Sequence, residues 1–174
     1  MYKSNTEIKK KILEEFENNH QVIEFIDKYF NFKSDSNFIN LLSSSYKIES
    51  LKNKSTSNII NLKRINDIRY INKFFEKANL SLCDHGLLFG YACTYHNRKQ
   101  AILEKYPPIF NWFIYIFDTL FNRVLPKLKL TKKLYFSLTK GKGRVLSKAE
   151  IFGRLYSCGF KIIDEQYTDN NQYF

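Results

Sequence analysis

The chain has 174 residues but only six glycines, and three each of proline, cysteine and histidine. No glycine precedes Gly86. Folds that seat a nucleotide-type cofactor against main chain need a glycine-rich turn after their first strand, because a Cβ there blocks close approach. A site of that kind is excluded from residues 1–85, and no cofactor is expected. Cys83, Cys93 and Cys158 are odd in number and lack a Cys-x-x-Cys spacing. They read as reduced thiols of a cytosolic protein, not as a disulfide scaffold or a metal site. His20, His85 and His96 have no ligand spacing either, and no metal is expected. Acidic residues are scarce as well, with 17 Asp and Glu against 28 Lys and Arg, a net charge of +11. None lies between Asp118 and Glu150. The basic excess attracts polyanions: nucleic acid, anionic lipid headgroups or phosphorylated molecules.

What is abundant is apolar and aromatic: 44% of residues are hydrophobic, with 16 Phe and 12 Tyr. That suffices for one core, and residues 1–174 read as one domain. Residues 4–30 carry a helical period, opened by a capping box at Ser4 and Glu7, with a bend near Asn18–Asn19. Short apolar runs at 38–45 and 57–62 predict buried strands. Ile65, Ile68, Ile71, Phe74 and Phe75 predict a helix over 64–79, and 85–93 reads as a central parallel strand covered on both faces. Strand, helix and strand over 57–93 imply a crossover, parallel pairing and an α/β fold. Ser147 and Glu150 form a second capping box for a helix that ends near Cys158, with Gly159 as its stop. Residues 160–167 predict a strand, and "DNNQ" a turn to a last strand from Gln172.

"LTKGKGRVLSKAE" (138–150) joins two glycines to a run of cations. It does not match the phosphate-binding G-x-x-x-x-G-K-[ST], and Gly141 and Gly143 stand before the helix cap, not at it. Lys140, Lys142 and Arg144 can meet an anion as diffuse charge.

"PPIFNWFIYIFDTLFNRVLP" (107–126) is the most unusual stretch. On a helix, Asn111, Tyr115, Asp118 and Asn122 share one narrow stripe, and aromatic and aliphatic residues cover the rest. A bilayer span needs about 20 mainly apolar residues, and Asp118 near the middle argues against one. Residues 105–145 therefore read as an inserted amphipathic and basic helical segment, either packed on the core or lying at an interface. The surface expected to meet an anionic membrane or a partner is Trp112, Phe113, Ile116, Phe117, Phe121, Lys127, Lys129, Lys132 and Lys133.

Two segments resemble the class I methyltransferase fold: "NDIRYINKFFEKANLSLCDHGLLFGYAC" (66–93) and "LSKAEIFGRLYSCGFKIIDE" (146–165), with Gly159 and Phe160 at the end of the late helix. The resemblance implies a partial Rossmann-like sheet. The missing first glycine turn departs from it. A longer stretch, about 57–167, with "KYPP", "LTKKLYFSLTKG" and "RVLSKAEIFGRLYSCGF", resembles the N-terminal region of exopolysaccharide polyprenyl glycosylphosphotransferases of Bacteroidota. The resemblance implies a bacterial sugar transferase whose catalytic domain, which moves a sugar phosphate onto a polyprenyl phosphate, follows this region. It assigns no transferase role to any residue here.

His96, just after the 85–93 strand, lies where α/β folds place ligands and is the one candidate for a residual site. Asp164 and Glu165 are neighbours expected on opposite faces of a strand, not an acid–base pair. The sequence thus points to a non-catalytic accessory domain of a sugar transferase. Its partners would be an anionic membrane surface or a membrane-bound transferase domain, and its place the inner face of the cell membrane. A divergent methyltransferase acting on a saccharide or lipid intermediate is the alternative, and a nucleic-acid binder ranks third. The sequence leaves the oligomeric state open.

Overall fold

The computed structural model describes residues 5–16, 19–30, 39–42, 48, 51–168 and 171–174. Ser4, Asn18, Phe38, residues 43–45 and residues 169–170 lie outside these, and with them part of the expectations above.

The helical stretch expected over 4–30 is two helices, α1 (Asn5–Glu15) and α2 (His20–Tyr29), parted near the expected bend. Asn19 makes the new start, its side chain accepting from the Val22 amide at 3.3 Å. Asn does this well because its short carbonyl reaches an amide that the first turn leaves without a partner. Strands β1 (Ile39–Leu42), β2 (Thr56–Asn61) and β3 (Leu82–Phe89) form a parallel sheet in the order β1-β2-β3, with α3 (Ile71–Ser81) crossing between β2 and β3. The fold is α/β, as the strand–helix–strand order implies.

Neighbouring residues of a strand face opposite ways, and β2 uses this to build two layers. Ile59 packs with Ile68, Phe75, Ile151 and Leu155, under α3 and α7 (Lys148–Ser157). Ile60 packs with Phe16, Val22, Ile26 and Phe89, under α1 and α2. Each fully buried side chain of this size contributes about 1.5–3 kcal/mol, so the Ile59–Ile60 pair ties both helical layers to one sheet.

The sequence placed its central strand at 85–93; the structure places it at β2. Among the described residues β3 is an edge strand; it starts at Leu82 and stops at Phe89, and Tyr91–Ala92 (β4) joins a second, antiparallel sheet in the order β4-β6-β5. The apolar run misleads because bulk hydrophobicity reports burial of side chains and not the pairing of edges. The strand expected over 160–167 is regular only at Gln166–Thr168 (β5), and β6 is Asn171–Tyr173. The helix expected over 64–79 divides into a single 3₁₀ turn at Ile65–Asp67 and α3. The late capping box forms in full: Ser147 Oγ accepts from the Glu150 amide at 3.1 Å, and Glu150 Oε2 accepts from the Ser147 amide at 2.8 Å. Gly159 follows α7 with φ +86°, a left-handed conformation that suits glycine.

Candidate functional site

Between Ala92 and Val145 the chain forms a helical unit: α4 (Tyr95–Lys105), α5 (Pro108–Thr119), a π-helical turn (Leu120–Val124), a 3₁₀ turn (Leu125–Lys127) and α6 (Lys129–Thr139). Thr94 caps α4 by accepting from the Asn97 amide, and Pro108 occupies the first turn of α5, where a missing amide does no harm. The apolar side chains of α5 face outward, the reverse of a helix packed on a core. Asn111 and Tyr115 are buried at 7% and 9% exposure, whereas Trp112, Phe113, Ile116 and Phe117 are exposed, Phe113 at 70%. Of the 18 exposed large apolar side chains among the described residues, 13 lie between Tyr106 and Leu138. The exposed apolar surface is therefore concentrated here and is not spread over the molecule.

The polar stripe is turned inward because it has partners there. Arg98 on α4 grips Asp118 with two bonds, Nε to Oδ2 at 2.7 Å and Nη2 to Oδ1 at 2.5 Å, and its third nitrogen donates to the Gly143 carbonyl at 3.1 Å. Asn122 donates to Asp118 Oδ1 at 2.8 Å, and the Tyr135 hydroxyl on α6 donates to Asn122 Oδ1 at 3.2 Å. The Val145 amide reaches the Asn122 carbonyl at 3.0 Å. Asn111 donates to the Leu103 carbonyl at 3.1 Å, and the hydroxyls of Tyr95 and Tyr115 share a hydrogen bond. Lys99 sits over the rings of Trp112 and Tyr115 at 5.4 and 5.5 Å. A buried polar network stabilises when its members are satisfied; the Arg98–Asp118–Asn122–Tyr135 network joins α4, α5, α6 and the 140–145 loop, while Asn111 Oδ1 is buried without a partner among the described residues. With the polar side thus occupied, the aromatic side is left to solvent.

Helix α6 adds a second apolar row. Leu130, Leu134 and Leu138 recur every fourth residue, all exposed, Leu130 at 95%. Four-residue spacing puts them on one face, and Lys129 and Lys133 form the adjacent row. The opposite side buries Tyr135, whose ring meets Phe121 at 5.6 Å, edge to face.

The structure thus brings Trp112, Phe113, Ile116 and Phe117 together on α5, and Lys129, Lys132 and Lys133, all exposed, on α6. Phe121 is half-buried against Tyr135, and Lys127 is exposed but paired with Glu150, which Arg123 also faces at 3.6 Å. Glu150 keeps its carboxyl below the usual range: burial pushes it up, but the bonds from Lys127 and the Ser147 amide outweigh that. Lys140 and Lys142 are exposed, Lys140 with φ +54°. Arg144 differs from the expectation of an anion contact. Its guanidinium donates inward to the Ile68 carbonyl, lies 5.5 Å from the Phe136 ring and is pulled below its ordinary pKa by burial. Exposed beyond the surface expected from sequence are, among others, Ile109, Phe110, Leu120, Leu128 and the Leu130–Leu134–Leu138 row; the four-residue spacing of the leucines was the available signal.

At the carboxyl end of the parallel sheet, Asn66 occupies the place where α/β folds hold ligands. Its side chain donates to the carbonyls of Cys93 and Arg144 at 2.8 and 2.7 Å and accepts from the Cys93 amide at 2.9 Å. All its bonding capacity goes to main chain. His96 lies exposed in the first turn of α4, and burial pushes the Cys93 thiol up, away from the thiolate a nucleophile needs. Asp164 and Glu165 part ways: Asp164 accepts from Lys28 and Tyr29 at 2.9 and 2.6 Å, and Glu165 pairs with Lys148. Among the described residues no group of three His, Cys, Asp or Glu could hold a metal ion, and no helix is long and apolar enough to cross a membrane. The chain matches no protein-family model and no curated protein.

Proposed function

We propose that this chain is a non-catalytic accessory domain that docks on the inner face of a bacterial cell membrane and positions a sugar-transferase system there. The observation that carries the docking is the inversion of α5: Asn111, Tyr115 and Asp118 turn inward to hydrogen-bond partners, Asn111 Oδ1 excepted, and the aromatic side chains face out. Such a face is stable in water only at a cost, and contiguous apolar exposure of this kind marks an interaction surface.

Charge favours a bilayer over another copy of the chain. Lys129, Lys132, Lys133, Lys140 and Lys142 are exposed and enter no ion pair among the described residues. Two copies would set like charges against each other, whereas anionic headgroups would receive them at about 1 kcal/mol per cation. The aromatics of α5 and the leucine row of α6 would enter the boundary between headgroups and acyl chains, with the lysines beside them at headgroup level. The link to a sugar transferase rests on the sequence resemblance over 57–167.

Co-sedimentation with vesicles tests the docking. Vesicles of phosphatidylglycerol and phosphatidylcholine should carry the protein down at low salt, and phosphatidylcholine alone much less. Failure to bind the anionic vesicles at low salt would sink the proposal.

A further inference from the structure

β3 pairs with β2 on one side, and among the described residues no strand adds to its other edge. A cleft of about 850 Å³ runs along that edge. Every residue of β3 from Leu82 to Phe89 lines it, and so does every residue from Gly159 to Asp164 across from it. Successive side chains of a strand point to opposite faces, so a cleft lying against one face would meet alternate residues. A cleft that meets all of them lies against the strand's edge, where main-chain hydrogen bonds are made. On the far side, residues 161–164 have no regular structure, and among the described residues their amides donate no main-chain hydrogen bond. The walls between are apolar, from Phe25, Phe30, Phe160 and Phe174, and Leu80 and Ile163 stand exposed beside them.

We infer that this slot takes an extended peptide strand from another protein, inserted edge to edge beside β3. A peptide offers donors and acceptors at strand spacing, about 3.3 Å per residue, together with side chains on both faces to meet the apolar walls. The pairing centres on Leu87–Phe89, where β3 is in regular register with Asn58–Ile60. Before that, five steps along β3 (from Leu82 to Leu87) span two along β2 (from Thr56 to Asn58), and His85 has φ +64°. This bulge turns the strand away from a continued ladder.

Charge chooses the occupant. Lys28 is bound to Asp164 at 2.9 Å and Lys54 to Asp84 at 3.1 Å. Lys161 is exposed on the rim and enters no ion pair among the described residues. The inserted strand is therefore apolar in its middle and acidic where it passes Lys161. A second copy of this chain fits poorly. It brings a further +11 of charge to a rim that already carries Lys161.

The test uses the full chain and a fluorescent heptapeptide of alternating valine and threonine with a glutamate at each end. Anisotropy should show saturable binding. Exchange of the Leu88 amide should slow when the peptide is bound, because the Leu87 amide already donates toward β2, to Asn58 Oδ1, and alternate amides of a strand face opposite edges. The same peptide with alternate amides N-methylated should bind at least tenfold more weakly. Lys161→Glu, a surface change that leaves the melting temperature unmoved, should weaken binding about fivefold. No saturable binding, equal binding of the methylated peptide, or binding indifferent to Lys161→Glu each overturns the inference. So does full displacement of the peptide by dodecanoate with no change in amide exchange, which would make the slot a pocket for apolar chains.

Discussion

Arg98 and Asp118 show how a single pair sets the orientation of a helix. Their side chains are 27% and 16% exposed, so water screens the pair only in part. Removing one partner leaves a half-buried charge without its two bonds, and hydrogen bonds to charged groups contribute about 1.5–3 kcal/mol. Asp118→Ala should lower the unfolding free energy by about 2 kcal/mol in a urea titration; a loss below about 0.5 kcal/mol would mean that the clasp does not hold α5. Asp164 gives a pH reading of the same kind. The hydrogen bonds from Tyr29 and Lys28 favour its charged form and bring its pKa down to about 2 from an ordinary 3.8. A depressed carboxyl pKa contributes stability that is present in full above the ordinary value and is lost as pH falls through the depressed one. The contact between α2 and residue 164 should therefore survive at pH 3, and the Asp164 carboxyl carbon should titrate in NMR with a midpoint near 2. A midpoint near 4 would contradict the contact. Gly86 shows what the first glycine of the chain is for: a Cβ there would come within 2.6 Å of the Ser57 carbonyl oxygen. It lets β3 approach β2 at the bulge.

At the scale of the element, α5 was legible as a helix with one polar stripe, and the sequence left open whether its aromatic side meets the core or an interface. Its period places Asn111, Tyr115, Asp118 and Asn122 on one side, and nothing local to 107–126 says which side faces the protein. That depends on Arg98, Tyr95, Tyr135 and Val145, which come from elsewhere in the chain. Because Phe113 and Phe117 are exposed, changing them should leave the fold within about 0.5 kcal/mol of the parent. Each aromatic buried in a bilayer contributes about 1.5–3 kcal/mol. Phe113→Ser with Phe117→Ser should then reduce vesicle partitioning about a hundredfold with an unchanged urea midpoint. A double variant that unfolds, or that still binds vesicles fully, would contradict an outward aromatic face. The strand expected over 160–167 is regular only at its end for a related reason: Phe160 and Ile162 pack on Phe75 and the core, but burial of alternate side chains does not supply a neighbouring edge.

For the whole molecule, the excess of cations and the apolar face act together. The triple change of Lys129, Lys132 and Lys133 to Glu reverses three charges on α6. At about 1 kcal/mol per cation, binding to anionic vesicles should fall by about a hundredfold or more and lose most of its salt dependence, while the weak binding to neutral vesicles persists. Equal binding of parent and variant at low salt would remove charge from the account. Calorimetry with S-adenosylmethionine should give no saturable heat; micromolar binding would restore the alternative of a methyltransferase.

Some of this was settled by the sequence alone. The order of strand, helix and strand, the full capping box at Ser147 and Glu150, the glycine stop at 159, the basic interval from 119 to 149 and the helical period at 107–126 are local properties of neighbouring residues. Their physics acts within a few residues along the chain. The tertiary structure decided which strand is central, that Arg144 turns inward, that Lys127 is tied to Glu150 and that the aromatics of α5 face out. Each of these depends on which distant group satisfies a charge or a main-chain edge, and pairing across tens of residues leaves no period in the sequence.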